Sequence, residues 1–189
     1  MLEHGYKPDT RVQCSLDDEF MLVSVPDERE SFRVNGDRMT PGISVSNSEV
    51  GLAALSISTF TLRLVCTNGM ISKTAVSASY RHVSSKLLSN LPGVLNELRE
   101  GFGQQREQFQ ISLESKVENP EATIESFNRQ FELRKEEKEA VDWALAQEYG
   151  FTMFSVVNTY TRAAQYELLT AESRFRRQKV GGMVLGMGN

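Results

Sequence analysis

The feature that most constrains this chain is a change in hydrophobic period at about Ala75. Before that point apolar residues recur at every second position, and after it at every third or fourth, so strands come first and helices follow. Strands grouped in this way pair with one another, and the sheet they form is covered by the helices. The sequence therefore predicts an α+β fold, an N-terminal antiparallel meander packed against a C-terminal set of helices. A length of 189 residues suits a single domain over 1–189, strand-rich over about 11–74 and helical over about 75–180, with a flexible glycine-rich tail at 181–189.

Phe20 to Val25 is a short apolar, β-branched run that stops at the turn-forming Pro26-Asp27-Glu28. Ser31 to Val34 leads into Asn35-Gly36, a two-residue hairpin signal in which both residues tolerate positive φ. Ile43 and Val45 alternate with Ser44, Ser46 and Ser48, the pattern of a strand with one buried and one polar face. From Ala53 to Cys66 the phase changes midway: Leu55 and Ile57 share one parity, and Phe60, Leu62, Leu64 and Cys66 the other. Either a β-bulge near Ser58-Thr59 or two strands meeting at a bend accounts for the shift.

Leu88, Leu91, Leu95, Leu98 and Phe102, spaced 3, 4, 3 and 4, make one helical stripe. Pro92-Gly93 interrupts it, which predicts one helix before Pro92 and a second from Pro92 to about Val117. Asn119-Pro120-Glu121 then restarts a helix with an N-cap residue, a first-position proline and a carboxylate in the first turn, continuing to about Phe131. Glu132 to Glu148 is rich in helix formers and closes at Gly150, and Phe151, Phe154, Val157, Tyr160 and Ala164 stripe the next helix as core.

Charge and cysteine content narrow the function classes. The 21 Lys and Arg against 25 Asp and Glu leave a net charge of −4, so nucleic acid would be met through a local patch and not the whole surface. Two cysteines and two histidines supply neither a disulfide framework nor a zinc site, and no cofactor or metal is expected. Cys14 and Cys66 read as reduced, and no apolar run or leader points to a membrane or to secretion, so the expected location is the cytoplasm of a bacterial host.

Four polar blocks are candidates for chemistry. Asn47, Ser48 and Glu49 lie in a turn ahead of Gly51, where they serve a ligand or bond local backbone. Arg63 stands at the end of the longest strand with Asn68 beyond it; its planar fork suits an external anion or a carboxylate partner such as Glu49. Cys66 reads as core. Arg81-His82 adds a group that titrates near neutral pH, or an ordinary helix start. Asn158 and Arg162, four apart, share a helical face and form either a binding pair or polar surface. Arg174, Arg176, Arg177 and Lys179 form the local basic cluster, a solvated helix end that can also touch phosphates. Phosphate-loop, dinucleotide, zinc-protease and nucleophile-elbow motifs are all missing from the sequence.

The blocks running from Val45 to Gly51, from Arg63 to Met70, and at Arg81-His82 together resemble the uncharacterised phage/plasmid-like protein family (domain of unknown function nine-three-two). Its members carry an Asn-Ser turn before a strand ending in Arg-x-x-Cys-x-Asn, then an Arg-His pair, then a helix bearing Asn-x-x-Thr, matched here by Asn158 and Thr161. The resemblance covers Ser44 to Arg162 and implies an origin in a phage, prophage or plasmid, with no reaction attached. Beside that family the chain is short, implying a minimal version or a missing N-terminal portion.

The leading expectation is a non-enzymatic binding protein of mobile-element DNA metabolism. Its sheet would present Ser44, Ser46, Ser56, Ser58, Thr61 and Arg63, with Arg174 to Lys179 supplying local positive charge, although exposed aromatics are scarce. One competing expectation is a hydrolase or nucleotide-processing enzyme with Glu49 and His82 as acid and base and Arg63 as anion clamp. Another is a structural or assembly protein that self-associates.

Overall fold

Two long strands carry the sheet. The computed structural model describes residues 12–48, 50, 55–63, 68–71, 78–80 and 85–187. Strand β4 (Asp37–Asn47) pairs antiparallel with β5 (Leu55–Arg63) in unbroken register, from Met39 opposite Arg63 to Ser46 opposite Ser56. On the outer side of β4, β3 (Phe32–Val34) pairs with its first residues and β2 (Met21–Pro26) with its remainder. On the outer side of β5, β6 (Asn68–Ile71) and β7 (Ala78–Tyr80) divide the strand in the same way. Among the described residues strand β1 (Gln13–Leu16) lies beyond β2, at the end of the order β1-β2-β4-β5-β6. The α+β reading holds, with an N-terminal antiparallel sheet followed by five helices among the described residues.

The turns follow their chemistry. Asn35 and Gly36 have φ of 50° and 85°, as the β3–β4 hairpin requires. Asp27 accepts from Arg29 N at the start of a single 3-10 turn, Glu28–Glu30. The phase change in β5 is neither a bulge nor a bend, because the β4–β5 register does not slip. It is a change of covered face: Leu55 and Ile57 pack with Leu95, Leu98 and Phe102, whereas Phe60 and Leu62 pack with Phe20, Leu22, Ala171 and Phe175 on the opposite face. The expected polar face of β4 is buried too, with Ser44 and Ser46 at 0% and 2% exposure, because helices cover both sides of the sheet.

Helix α1 (Ser85–Glu114) begins later than expected and runs unbroken through Pro92. Pro92 lies on the exposed side, where water can meet the carbonyl that loses its amide partner. Helix α2 (Pro120–Gln130) starts as the sequence indicates, with Asn119 Oδ1 accepting from Ala122 N at 2.9 Å. Helix α3 (Lys135–Glu148) ends at an extended Tyr149, so Gly150 is not its cap. Helix α4 (Met153–Ala163) is capped by Thr152 and buried nearly all round; Phe151, expected in its stripe, precedes it and is exposed. Val117 N donates to Phe151 O and Met153 N to Ser115 O, each at 2.9 Å, joining the end of α1 to the start of α4.

The largest departure is the C-terminal tail. Helix α5 (Ala171–Met187) continues through Gly181 and Gly182, and Val184 and Leu185 are core at 0% and 1% exposure. Glycine lowers helix propensity, but here it permits close packing: a Cβ on Gly181 would lie 2.7 Å from Thr161 Cγ2 of α4. Tertiary contact overrides local propensity, and the tail becomes part of the main core with Tyr160, Val157 and Met70.

Candidate functional site

Arg63, the residue singled out by the sequence, closes β5 with its side chain mostly buried. Its Nε donates to Asp37 Oδ2 at 2.6 Å and its Nη1 to Glu148 Oε2 at 2.7 Å, and its guanidinium lies 5.9 Å from the Phe154 ring centre. Asp37 opens β4, Glu148 ends α3 and Phe154 belongs to α4, so one side chain ties the sheet to two helices. Burial acts to lower its pKa, but the two carboxylates outweigh burial and raise it above the usual arginine range. The expected carboxylate partner is present among the described residues as Asp37 and Glu148, while Glu49 lies outside them, and an incoming anion would have to compete with both. Asn68 stands opposite Arg63 across the β5–β6 ladder.

The remaining blocks separate. Asn47 is the last residue of β4, opposite Met21. The buried Ser48 hydroxyl donates to Glu19 O at 2.8 Å, tying the exit of β4 to the β1–β2 turn. Glu49, Cys66, Arg81 and His82 lie outside the described residues, and with them the proposed acid and base pair. The hydroxyl face also divides: Thr61 and Arg63 point to one side of β5, and Ser56 and Ser58 to the other, since alternate residues face opposite ways. Thr61 donates to the buried Gln105 Oε1 of α1 at 2.7 Å.

Asn158 and Arg162 do not act as a pair. Asn158 is buried at 4% exposure because α4 is surrounded by neighbouring elements. Arg162 turns outward, donating through Nε and Nη2 to Gln147 Oε1 at 3.2 and 2.7 Å and covering Trp143 with its guanidinium at 5.6 Å. Trp143 also meets Tyr166 at 5.6 Å, and Tyr149 meets Phe151 at the same centroid distance. Trp143, Tyr149 and Phe151 are the exposed aromatics among the described residues, and they gather at the α3–α4 connection and its neighbours, away from the groove.

The basic cluster is mostly engaged by the fold. Arg174 donates to the carbonyls of Leu169, Ala164 and Glu167 at 3.1, 3.2 and 3.4 Å, satisfying the C-cap carbonyl of α4 and two carbonyls of the connection to α5. Arg177 is fully buried and so is corrected as a phosphate contact; its Nη2 donates to Glu137 Oε1 at 3.0 Å, and Arg176 Nη1 is 3.3 Å from the same oxygen. Lys179 is exposed and lies 5.3 Å from the Phe175 ring.

This group around Glu137 was not legible in the sequence. Glu137 Oε2 accepts from Arg134 N at 2.8 Å, the arrangement of a carboxylate at the third helical position reaching back to the residue that precedes the helix. Beside it, the Tyr160 hydroxyl donates towards Asn128 Oδ1 at 2.8 Å and Ile124 O at 3.1 Å, and burial pushes its pKa well above the tyrosine range. Burial depresses Arg177, an effect that Glu137 opposes. Glu137 lies inside the helix-forming run from Glu132 to Glu148, and nothing in its sequence neighbours marks it as buried.

An open groove of about 440 Å³ lies between β1–β2 and the α4–α5 pair. Gln13, Ser15, Ser24, Gln165, Arg174 and Gln178 give it a lining of amides, hydroxyls and one guanidinium. Among the described residues no group of three His, Cys, Asp or Glu side chains is placed to hold a metal ion, and no helix is long and apolar enough to cross a membrane. Comparison with protein-family models, with curated proteins and with solved structures finds no match to this chain.

Proposed function

We propose that this chain is a non-enzymatic binding protein that takes a single nucleic-acid strand in the groove between β1–β2 and α4–α5. The observation that carries this reading is the groove's lining. Its volume of about 440 Å³ falls in the usual range for ligand sites, roughly 300 to 1,000 Å³. Gln13, Gln165 and Gln178 line it with amides, a group type that carries both donor and acceptor and suits base edges. One wall is α5, which gives Arg174 and Gln178 to the lining and carries the exposed Lys179 one residue further on. The mobile-element setting comes from the family resemblance carried by the block from Arg63 to Met70, and a role in DNA metabolism is the reading added to it.

The test is fluorescence anisotropy with labelled single- and double-stranded oligonucleotides at low and high salt. The expected result is single-strand binding at low salt that weakens as salt rises and is lost in the Gln165→Ala, Gln178→Ala double variant. No binding at low salt, or binding indifferent to that variant, overturns the reading.

A further inference from the structure

Strand β1 borders the groove through Gln13, Cys14 and Ser15 and carries a second feature in its exposed row. Its side chains alternate, with Val12, Cys14 and Leu16 on one side and Gln13 and Ser15 on the other. The first row is exposed, Val12 at 54% and Leu16 at 70% with Cys14 also exposed, and it continues onto the partly exposed Met21 and Val23 of β2. Exposed apolar residues on a terminal strand are a pairing hazard that folds ordinarily blunt with charge or proline.

The hydrogen-bond alternation of the ladder tells which backbone groups face away from β2. Asp17 N donates to Phe20 O at 3.1 Å, and the register pairs Leu16 with Met21, Ser15 with Leu22, Cys14 with Val23 and Gln13 with Ser24. Because bonded and non-bonded pairs alternate, Ser15 and Gln13 turn their amides and carbonyls towards β2, whereas Leu16 and Cys14 turn theirs outward.

From this arrangement we infer that β1 pairs antiparallel with β1 of a second copy of this chain about a two-fold axis at Cys14. The segment Val12-Gln13-Cys14-Ser15-Leu16 is chemically self-complementary about its centre. In that register Val12 meets the partner's Leu16 and Cys14 meets the partner's Cys14 on the apolar side, while Gln13 meets the partner's Ser15 on the polar side. A two-fold contact demands this kind of self-matching surface. The acidic Asp17, Asp18 and Glu19 fall beyond the paired residues, where they do not oppose one another. Opposed residues of a hydrogen-bonded antiparallel pair have Cα atoms about 5.5 Å apart, within reach of a disulfide, so Cys14 reports the register. The inference does not depend on what the groove binds.

The experiment is light scattering on the full chain over a concentration series, with mild oxidation followed by peptide mapping. The expected result is a molar mass rising to twice 21.3 kDa and a Cys14–Cys14 crosslinked peptide under oxidation. Cys14→Pro removes only an outward amide, and Leu16→Lys puts a charge in the apolar row; each is expected to abolish the doubled mass while leaving the circular dichroism of the monomer unchanged. If Cys14→Pro fails to fold, Leu16→Lys decides alone. A wild-type chain that stays monomeric at every concentration, a dimer that survives Leu16→Lys, or oxidation that links other positions overturns the inference.

Discussion

Arg177 Nη2 donates to Glu137 Oε1 across 3.0 Å, and the two side chains are 0% and 3% exposed. Two further nitrogens of that guanidinium, Nε and Nη1, are buried without a hydrogen-bond partner among the described residues. A buried cation held by one carboxylate oxygen, itself shared with Arg176, depends heavily on that carboxylate.

Removing Glu137 should therefore be severe. Glu137→Ala is expected to destabilise the fold by about 3 to 5 kcal/mol, the range for breaking a buried ion pair from one side. The double variant Glu137→Leu, Arg177→Met should recover most of that loss, because neither charge is left behind. Urea denaturation of the three proteins checks both statements, and a double variant as unstable as the single would refute the account.

Arg63 is expected to act as a structural tie. Arg63→Met removes the cation that bridges Asp37 and Glu148 and should cost about 2 to 4 kcal/mol, below the range for a fully buried pair because all three side chains keep some solvent contact. Arg63→Lys should recover part of this, as a point charge cannot hold both carboxylates with the geometry of a fork. Denaturant midpoints across the series test the order wild type, lysine, methionine.

Acid should loosen the junction between the β1–β2 turn and α5. Asp17 accepts from the amides of Glu19 and Phe20 and, through Oδ2, from Ala171 N at 3.0 Å, and these bonds hold its carboxyl below the usual aspartate range. A carboxyl lowered on folding releases its proton more readily in the native state. Its contribution is complete above the unfolded value near about 3.9 and disappears as pH falls through the lower native value. Melting temperatures of wild type and Asp17→Asn should differ at pH 6 and converge towards pH 2; a constant difference would count against the assignment.

Two glycines in helices should respond in opposite directions. Gly181→Ala forces a methyl to within 2.7 Å of buried Thr161 and should destabilise by about 1 to 3 kcal/mol. Gly103→Ala, in α1 with nothing within 4 Å of the added carbon, should stabilise by about 0.5 to 1 kcal/mol through helix propensity. Thermal unfolding of the pair separates packing from propensity.

Local chemistry is what the sequence expresses most directly. The hairpin at Asn35-Gly36, the cap at Asn119-Pro120, the strand-to-helix order and the α+β class all follow from residues within a few positions of one another. By contrast, a β-strand shows its burial pattern without saying what covers each face. The parity change in β5 was therefore legible while its cause, α1 on one face and α5 on the other, was not. Arg63 was recognisable as a residue seeking an anion, yet its partners lie 26 positions before it and 85 after it.

The sequence by itself determined the element types, the turn positions and which residues carry charge or hydrogen-bonding groups. The tertiary structure decided which of these groups remain available. It buried Arg177 against Glu137, occupied Arg174 with the C-cap carbonyl of α4 and two carbonyls of the connection to α5, divided the hydroxyl row of β5 between two faces, and drew the glycine-rich tail into the core. The physical reason is that burial and pairing are properties of distance in space, set by how helices close over both faces of the sheet, whereas propensity and capping are set along the chain.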